Sequence, residues 1–140
     1  MPSYPPSLTA SLATALAAAA IIAGCVTSTT ITYLPSPEQP RLSLEDGRGM
    51  LARFLGVECG RLPEEGKGSG SAELVARTDS TGAVTSAELT TGSGDERANG
   101  VMGAVVAQLQ LDPSDAGHDV PLRASYQCGD NGADVTLERR

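Results

Sequence analysis

Residue types that could do chemistry are few in this chain of 140 residues, which has one histidine, His118. A nucleophilic enzyme needs a Ser or Cys beside a base, and this histidine lies in a Gly/Asp-rich stretch typical of a solvated loop. Two carboxylate pairs, Glu64 with Glu65 and Asp95 with Glu96, are adjacent in the chain, so their side chains point apart rather than converge on a substrate. We therefore expect no catalytic residues and no enzymatic activity.

Cys25 follows a run of apolar residues, 12–23, and is directly preceded by Ile22, Ala23 and Gly24. This run of about a dozen residues is too short to cross a bilayer, which takes roughly 20, and suits the hydrophobic region of an export signal. The small residues before the cysteine resemble the lipobox of bacterial lipoproteins. That resemblance implies cleavage between Gly24 and Cys25, with palmitate-type acyl chains attached to Cys25.

One feature of the first 24 residues departs from export signals, which normally begin with Lys or Arg, because this segment contains neither. Either the true start lies upstream or export tolerates their absence. The alternative interpretation is an Ala-rich helix that carries a cysteine by chance. The polar stretch that follows Cys25 favours the lipoprotein.

The cysteine count fits the same interpretation. If Cys25 is acylated, Cys59 and Cys128 remain as an even pair in an oxidising compartment. A disulfide between them would close a loop of about 70 residues and stabilise the fold by about 4 kcal/mol. The alternative is two buried free thiols. A metal site is not expected, because two distant cysteines and His118 do not make a ligand set.

The composition limits which residue types can fill the core and which classes of partner the protein can bind. The chain has 10 basic and 17 acidic residues, a net charge of −7, and all of these charges follow Cys25. Nucleic acid would repel such a surface, so a nucleic-acid partner is not expected. The acidic excess favours solubility, with a cationic partner as the alternative. Aromatics make up 3% of the chain and Phe54 is the single Phe, so Ala, Val and Leu must fill the core.

The first part of the mature chain, residues 25–42, is rich in Thr, Ser and Pro and predicts a flexible tether. The next segment predicts a helix over 43–57, with Ser43 as its N-cap and Cys59-Gly60 as its end. Leu44, Leu51, Phe54 and Leu55 would share one face of this helix.

Alternation and turn residues predict a small sheet in the rest of the domain. Residues 71–78 and 83–91 form a hairpin in this interpretation, joined by a turn at 79–82. A helix is predicted over 100–109 with Asn99 as its N-cap, followed by a strand over 120–128 and a short fourth strand over 133–138. The predicted fold class is α+β, with an extra N-terminal helix.

Two loops only superficially match ligand-binding motifs. The stretch 66–69 lacks the Ser or Thr that must follow the lysine of a phosphate loop, because Gly68 stands there. Asp130, Asn131 and Asp134 supply oxygens but no Glu at the distance that a calcium loop requires. Both stretches are interpreted as turns, and no cofactor is expected.

Over residues 68–127 the order strand, strand, helix, strand resembles the C-terminal domain of TonB-type energy transducers. The family has a Gly before the first strand, a Gly in the hairpin turn, a Ser-Gly after it, and a Gly and a Val at the last strand. The matching positions are Gly70, Gly82, Ser93, Gly94, Gly117 and Val120. Ala98-Asn99 stands in place of the family's Leu-Asp, and residues 111–113 replace its Phe-x-Pro.

The resemblance implies a binding module that adds an extended peptide to the edge of its sheet. The corresponding edge here is the last strand, with Val120, Leu122, Ala124 and Tyr126. If residues 133–138 pair with that strand, the site is filled from within. The alternative function is a structural or assembly lipoprotein that docks on a folded envelope partner. A lipid anchor in place of a transmembrane helix argues against energy transduction by this chain.

The sequence thus predicts a signal peptide over 1–24, a tether over 25–42 and a TonB-like α+β domain over 43–140. We expect the protein on the periplasmic face of a bacterial membrane. Enteric-type sorting retains lipoproteins with Asp after the cysteine in the inner membrane, and Val26 stands at that position. The outer membrane is therefore favoured. The sequence does not fix the oligomeric state.

Overall fold

A computed structural model describes residues 30–61 and 68–140, and in them one antiparallel sheet carries two helices on one face. The predicted signal peptide, Cys25 and residues 66–67 lie outside these ranges. The elements in chain order are β1 (Ile31–Tyr33), α1 (Leu44–Arg61), β2 (Ser69–Thr78), β3 (Val84–Thr91), α2 (Glu96–Ala107), β4 (Asp119–Gly129) and β5 (Gly132–Arg139). The strands lie in the order β1-β3-β2-β4-β5. The predicted α+β class is confirmed.

The hairpin of β2 and β3 forms where the alternation predicted it. Ala72, Leu74 and Ala76 are fully or almost fully buried beneath the helices, while the residues between them face away from the core. Gly82 closes the turn with φ +89°, a conformation that side chains with a Cβ rarely adopt, and Leu111 O lies 2.7 Å from where a Cβ would be. The Asp79 carboxylate accepts hydrogen bonds from the N–H groups of Thr81 and Ala83 across this turn.

Helix α1 begins as predicted, because the Asp46 N–H donates to Ser43 Oγ at 3.0 Å. Its end is a correction, since the helix continues through Cys59 and Gly60 to Arg61. The side chain of Cys59 is buried and joined to β4, so tertiary structure holds the last turn. The predicted apolar face is also corrected, because Phe54 is 48% exposed whereas Leu51 and Leu55 are buried.

Helix α2 begins four residues earlier than predicted, and its N-cap is Asp95 instead of Asn99. The Asp95 carboxylate accepts from the N–H groups of Arg97 and Ala98. Asn99 instead holds the preceding loop, since its Oδ1 accepts from the Ser93 N–H at 2.8 Å. Both residues are good caps, and the loop contact decides between them.

The predicted tether is wrong for residues 30–42, which pack on the domain, while 25–29 lie outside the described residues. Strand β1 pairs with β3, with Ile31 opposite Leu89 and Tyr33 opposite Ala87. The ring of Tyr33 lies directly over Gly103 of α2, where any side chain would collide with it. This contact requires a glycine in the middle of a helix.

One glutamine holds the segment after β1. The Gln108 side chain is 7% exposed, and its Nε2, which has two hydrogens to donate, lies 3.1, 3.0 and 3.3 Å from the carbonyl oxygens of Ser36, Gln39 and Pro40. Its Oε1 accepts from the Ser36 N–H at 2.9 Å. A polar, Pro-rich segment with little apolar area is thereby fixed, because a buried amide supplies the hydrogen bonds that water would otherwise make.

The core lies between the sheet and the helices and consists of aliphatic and Met side chains. Its largest fully buried members are Leu51, Leu55, Leu74, Val84, Met102, Val106, Leu109 and Leu122. Met102, Val105 and Val106 are the largest buried apolar side chains of α2, whereas Leu109 follows the end of the helix. Among the described residues, neither helix is both long and apolar enough to cross a membrane.

Candidate functional site

The predicted peptide-binding edge on β4 does not exist as an edge, because β4 pairs with β2 on one side and β5 on the other. Val120, Leu122 and Ala124 point into the core and are at most 5% exposed. The chain reverses after Gly129, and Gly132 adopts φ +128° in that turn. The conditional alternative, in which residues 133–138 fill the edge, is therefore the one that the structure adopts.

Tyr126, the fourth residue of that predicted edge, lies opposite Gly70 of β2 and Val135 of β5. Its ring contacts the Gly70 backbone, which has no side chain to keep it away. Burial raises the pKa of the Tyr126 hydroxyl above its usual value, and the negative charges of Asp95 and Glu58 add to the effect. Tyr126 therefore belongs to the packed face of the sheet.

The sheet of the described residues has two outer strands, β1 with three residues and β5 with eight, and β5 is the longer edge, paired only with β4. Its far end is held by Arg139, which forms an ion pair with the buried Asp115. Arg140 holds the same end, since its N–H donates to Pro121 O at 3.0 Å and its guanidinium lies 3.1 Å from Glu73.

The near end of β5 is held through the disulfide. The sulfurs of Cys59 and Cys128 are 2.05 Å apart, which is the pairing that the cysteine count predicted. Cys128 lies opposite Ala133, next to the turn that joins β4 and β5. The bond therefore ties the turn end of the β4–β5 hairpin to α1. The backbone of Ala133 also lies against Gly56 of α1. Both ends of the edge strand are thus fixed, and no strand of residues 30–61 and 68–140 pairs with its outer side.

The side chains that line this edge on the open face of the sheet are polar. Asp134, Thr136 and Glu138 are exposed, and they lie opposite Gln127, Ser125 and Arg123 of β4. The two carboxylates are four residues apart on one face, which corresponds to about 13 Å along a strand. On this face β5 therefore carries two carboxylates at a fixed spacing, and Arg123, opposite Glu138, is paired with Glu73 of β2 at 3.1 Å.

The residues considered for catalysis do not come together. The hydrogen bonds of His118 within the described ranges involve its backbone, with its carbonyl accepting from Thr78 Oγ1 at 2.9 Å. Asp95 caps α2 and Glu96 lies in its first turn, while residues 64 and 65 lie outside the described ranges. Residues 30–61 and 68–140 contain no group of three His, Cys, Asp or Glu side chains placed to hold a metal.

Sequence reasoning missed an apolar groove of about 650 Å³ between α1, α2 and the segment that follows β1. Its walls include Leu34, Leu42, Met50, Phe54 and Val101. A Glu58–Arg97 ion pair with an N–O distance of 3.9 Å is also part of the lining, as is Gln108. The sequence signal for this groove was Phe54. It follows Arg53 in an amphipathic helix, and this neighbour is consistent with an exposed position for the aromatic ring.

Comparison of the chain with protein-family models, with curated proteins and with solved structures gives no match. No relative therefore indicates a function, and the geometry of β5 is the structural observation from which one can be inferred.

Proposed function

We propose that this chain is a lipid-anchored protein of the bacterial periplasm, held in the outer membrane by Cys25, that binds an extended peptide segment of an envelope protein along β5. The observation that carries the proposal is an edge strand of eight residues that is fixed at both ends and has no described strand paired on its outer side. The arrangement of β2, β3, α2 and β4 is compatible with the resemblance to the TonB C-terminal domain. Anchored by lipid, the domain binds without transducing energy.

Strand addition is the chemistry that such an edge supports. The outer N–H and C=O groups of β5 pair with the peptide backbone, which supplies affinity with little dependence on sequence. Side chains at alternate positions of the peptide then contact Asp134 and Glu138, which supplies selectivity. The fixed ends of β5 reduce the entropy that the edge loses on binding.

The charge of the edge defines the peptide. A peptide with basic residues at positions i and i+4 places both of them on one face of a strand, at the spacing of Asp134 and Glu138. Cross-strand pairs of opposite charge stabilise a sheet, whereas like charges destabilise it. A basic, extended segment is therefore the preferred ligand, and an acidic one is repelled.

The first test uses a short synthetic peptide of alternating Thr and Val with lysines at positions i and i+4. We expect chemical-shift changes in the backbone amides of residues 132–139 on titration, weakened by salt. The variant D134K/E138K should lose binding of this peptide and gain binding of its glutamate counterpart. A matched control, Glu88→Lys on the open face of β3, should retain wild-type preference. Shift changes confined to other strands would contradict the assignment of the edge.

The second test concerns the anchor. Wild-type protein expressed with its leader is expected to enter the detergent phase on phase separation, because two or three acyl chains give stable membrane attachment. The Cys25→Ala variant should remain in the aqueous phase. Retention of the variant in the detergent phase would overturn lipidation at Cys25 without bearing on the β5 edge.

A further inference from the structure

The apolar surface of this protein is concentrated on one side. The large hydrophobic side chains that are exposed in residues 30–61 and 68–140 are Ile31, Leu34, Phe54 and Val57, at 47%, 72%, 48% and 56%. Ile31 lies on the helix-bearing face of the sheet, in register with Leu89 and Leu74, and the others follow β1 or belong to α1. We call this side, formed by residues 30–61 and 96–107, the helical side.

The net negative charge of the chain lies outside the helical side. The helical side contains five acidic and five basic residues, so it is neutral, and the net charge of −7 belongs to the remainder of the chain. All five bases of the helical side are arginines. An anionic membrane surface repels the acidic sheet and its loops but not the helical side, which sets an orientation.

The length of chain before β1 keeps the start of β1, which is part of the helical side, close to the anchor. Only the five residues 26–30 separate Cys25 from Ile31, and they span at most about 20 Å even when fully extended. Because residues 30–42 are packed on the domain, they add no further reach. A short linker of this kind gives a high effective concentration of the domain at the surface to which it is attached.

We propose that the helical side rests on the lipid bilayer, with Phe54, Val57 and Leu34 in the interfacial region and the groove between α1 and α2 open to it. This inference rests on the proposed lipid anchor at Cys25. Arg53, which is exposed on α1 with its Nη1 4.0 Å from the Sδ of Met50 in the groove wall, binds lipid phosphate in this arrangement. The β5 edge then lies to the side of the contact, accessible to an envelope protein.

The chain contains no Trp, so a single introduced Trp reports its own surroundings. The lipidated Phe54→Trp protein is reconstituted in vesicles of phosphatidylethanolamine and phosphatidylglycerol that contain a phospholipid with brominated acyl chains. We expect the introduced indole to lose much of its fluorescence to the bromine and to emit at shorter wavelength. Val57→Trp serves as a second reporter and should behave in the same way.

The matched control is Gln127→Trp, at an exposed position on the open face of β4. Its fluorescence should be nearly unchanged by the brominated lipid. Equal quenching in the Phe54→Trp and Gln127→Trp proteins, or quenching in neither, would overturn the docking. The emission of the Phe54→Trp protein could also shift to shorter wavelength without vesicles, in a way that depends on protein concentration and not on brominated lipid. That result would show a second copy of the chain on the helical side and would overturn the docking on lipid.

Flotation of the vesicles distinguishes failure of the docking from failure of the proposed lipid anchor at Cys25. Phe54→Trp protein that floats with the vesicles but keeps its full fluorescence overturns the docking and leaves the anchor standing. Protein that does not float overturns the anchor and the docking together. Binding of the basic peptide at β5 is measured independently of both.

Discussion

Replacing both Cys59 and Cys128 by serine is expected to lower the free energy of unfolding by about 4 kcal/mol. The sequence separation of 69 makes the closed loop long, and a long loop gains most conformational freedom in the unfolded state when its bond is removed. Urea unfolding of the wild type and the double variant, followed by circular dichroism, measures the difference.

The control for this prediction is chemical reduction. A reducing agent should destabilise the wild type by a similar amount and should leave the double serine variant unchanged. The bond ties the turn end of the β4–β5 hairpin to α1. Its loss should therefore increase the exchange rate of the amide protons of residues 132–135 more than that of the amide protons of β2. A variant as stable as the wild type would contradict this assignment of the disulfide.

Leu51→Ala is expected to cost about 2–5 kcal/mol, because the side chain is fully buried between α1 and the sheet and its removal leaves a cavity. A domain of this size has a total stability of only about 5–15 kcal/mol, so the variant should unfold at a markedly lower urea concentration. The magnitude depends on how far neighbours such as Leu55 can close the gap.

Val57→Ala provides the matched control on the same helix. Val57 is mostly exposed, so its truncation should change the midpoint of unfolding little. The same substitution removes apolar surface from the side that we place on the bilayer, which makes it informative in vesicles as well. If both variants lose equal stability, the assignment of the buried face of α1 is wrong.

Local patterns were sufficient to predict much of this fold. The alternation of Ala72, Leu74 and Ala76 with polar residues identified β2 and its buried face, and the turn ending at Gly82 gave the hairpin. The cysteine pairing followed from the even number of cysteines that remain if Cys25 is acylated. Each of these inferences depends on residues that are close in sequence or on a count, so no three-dimensional information was needed.

The missed features depend on contacts that the residue types alone do not reveal, one of them very distant in sequence. Nothing near Ser36 indicates that Gln108 will hold it, since the contact spans 72 positions. Asp95 and Asn99 are equally good caps by type, and only the contact of Asn99 with Ser93 distinguishes them. The β4 edge was assigned by resemblance, and whether β5 covers it depends on the pairing of a short, polar strand whose own pattern is weak.

The composition of the core has a consequence for how such a protein diverges. Its interior is built from Leu, Val, Ala and Met, with no aromatic ring among the fully buried side chains of residues 30–61 and 68–140. Aliphatic residues exchange for one another at small cost when total volume is kept. Few positions are therefore confined to one residue type, and two descendants of a common ancestor can keep this architecture while sharing little recognisable sequence.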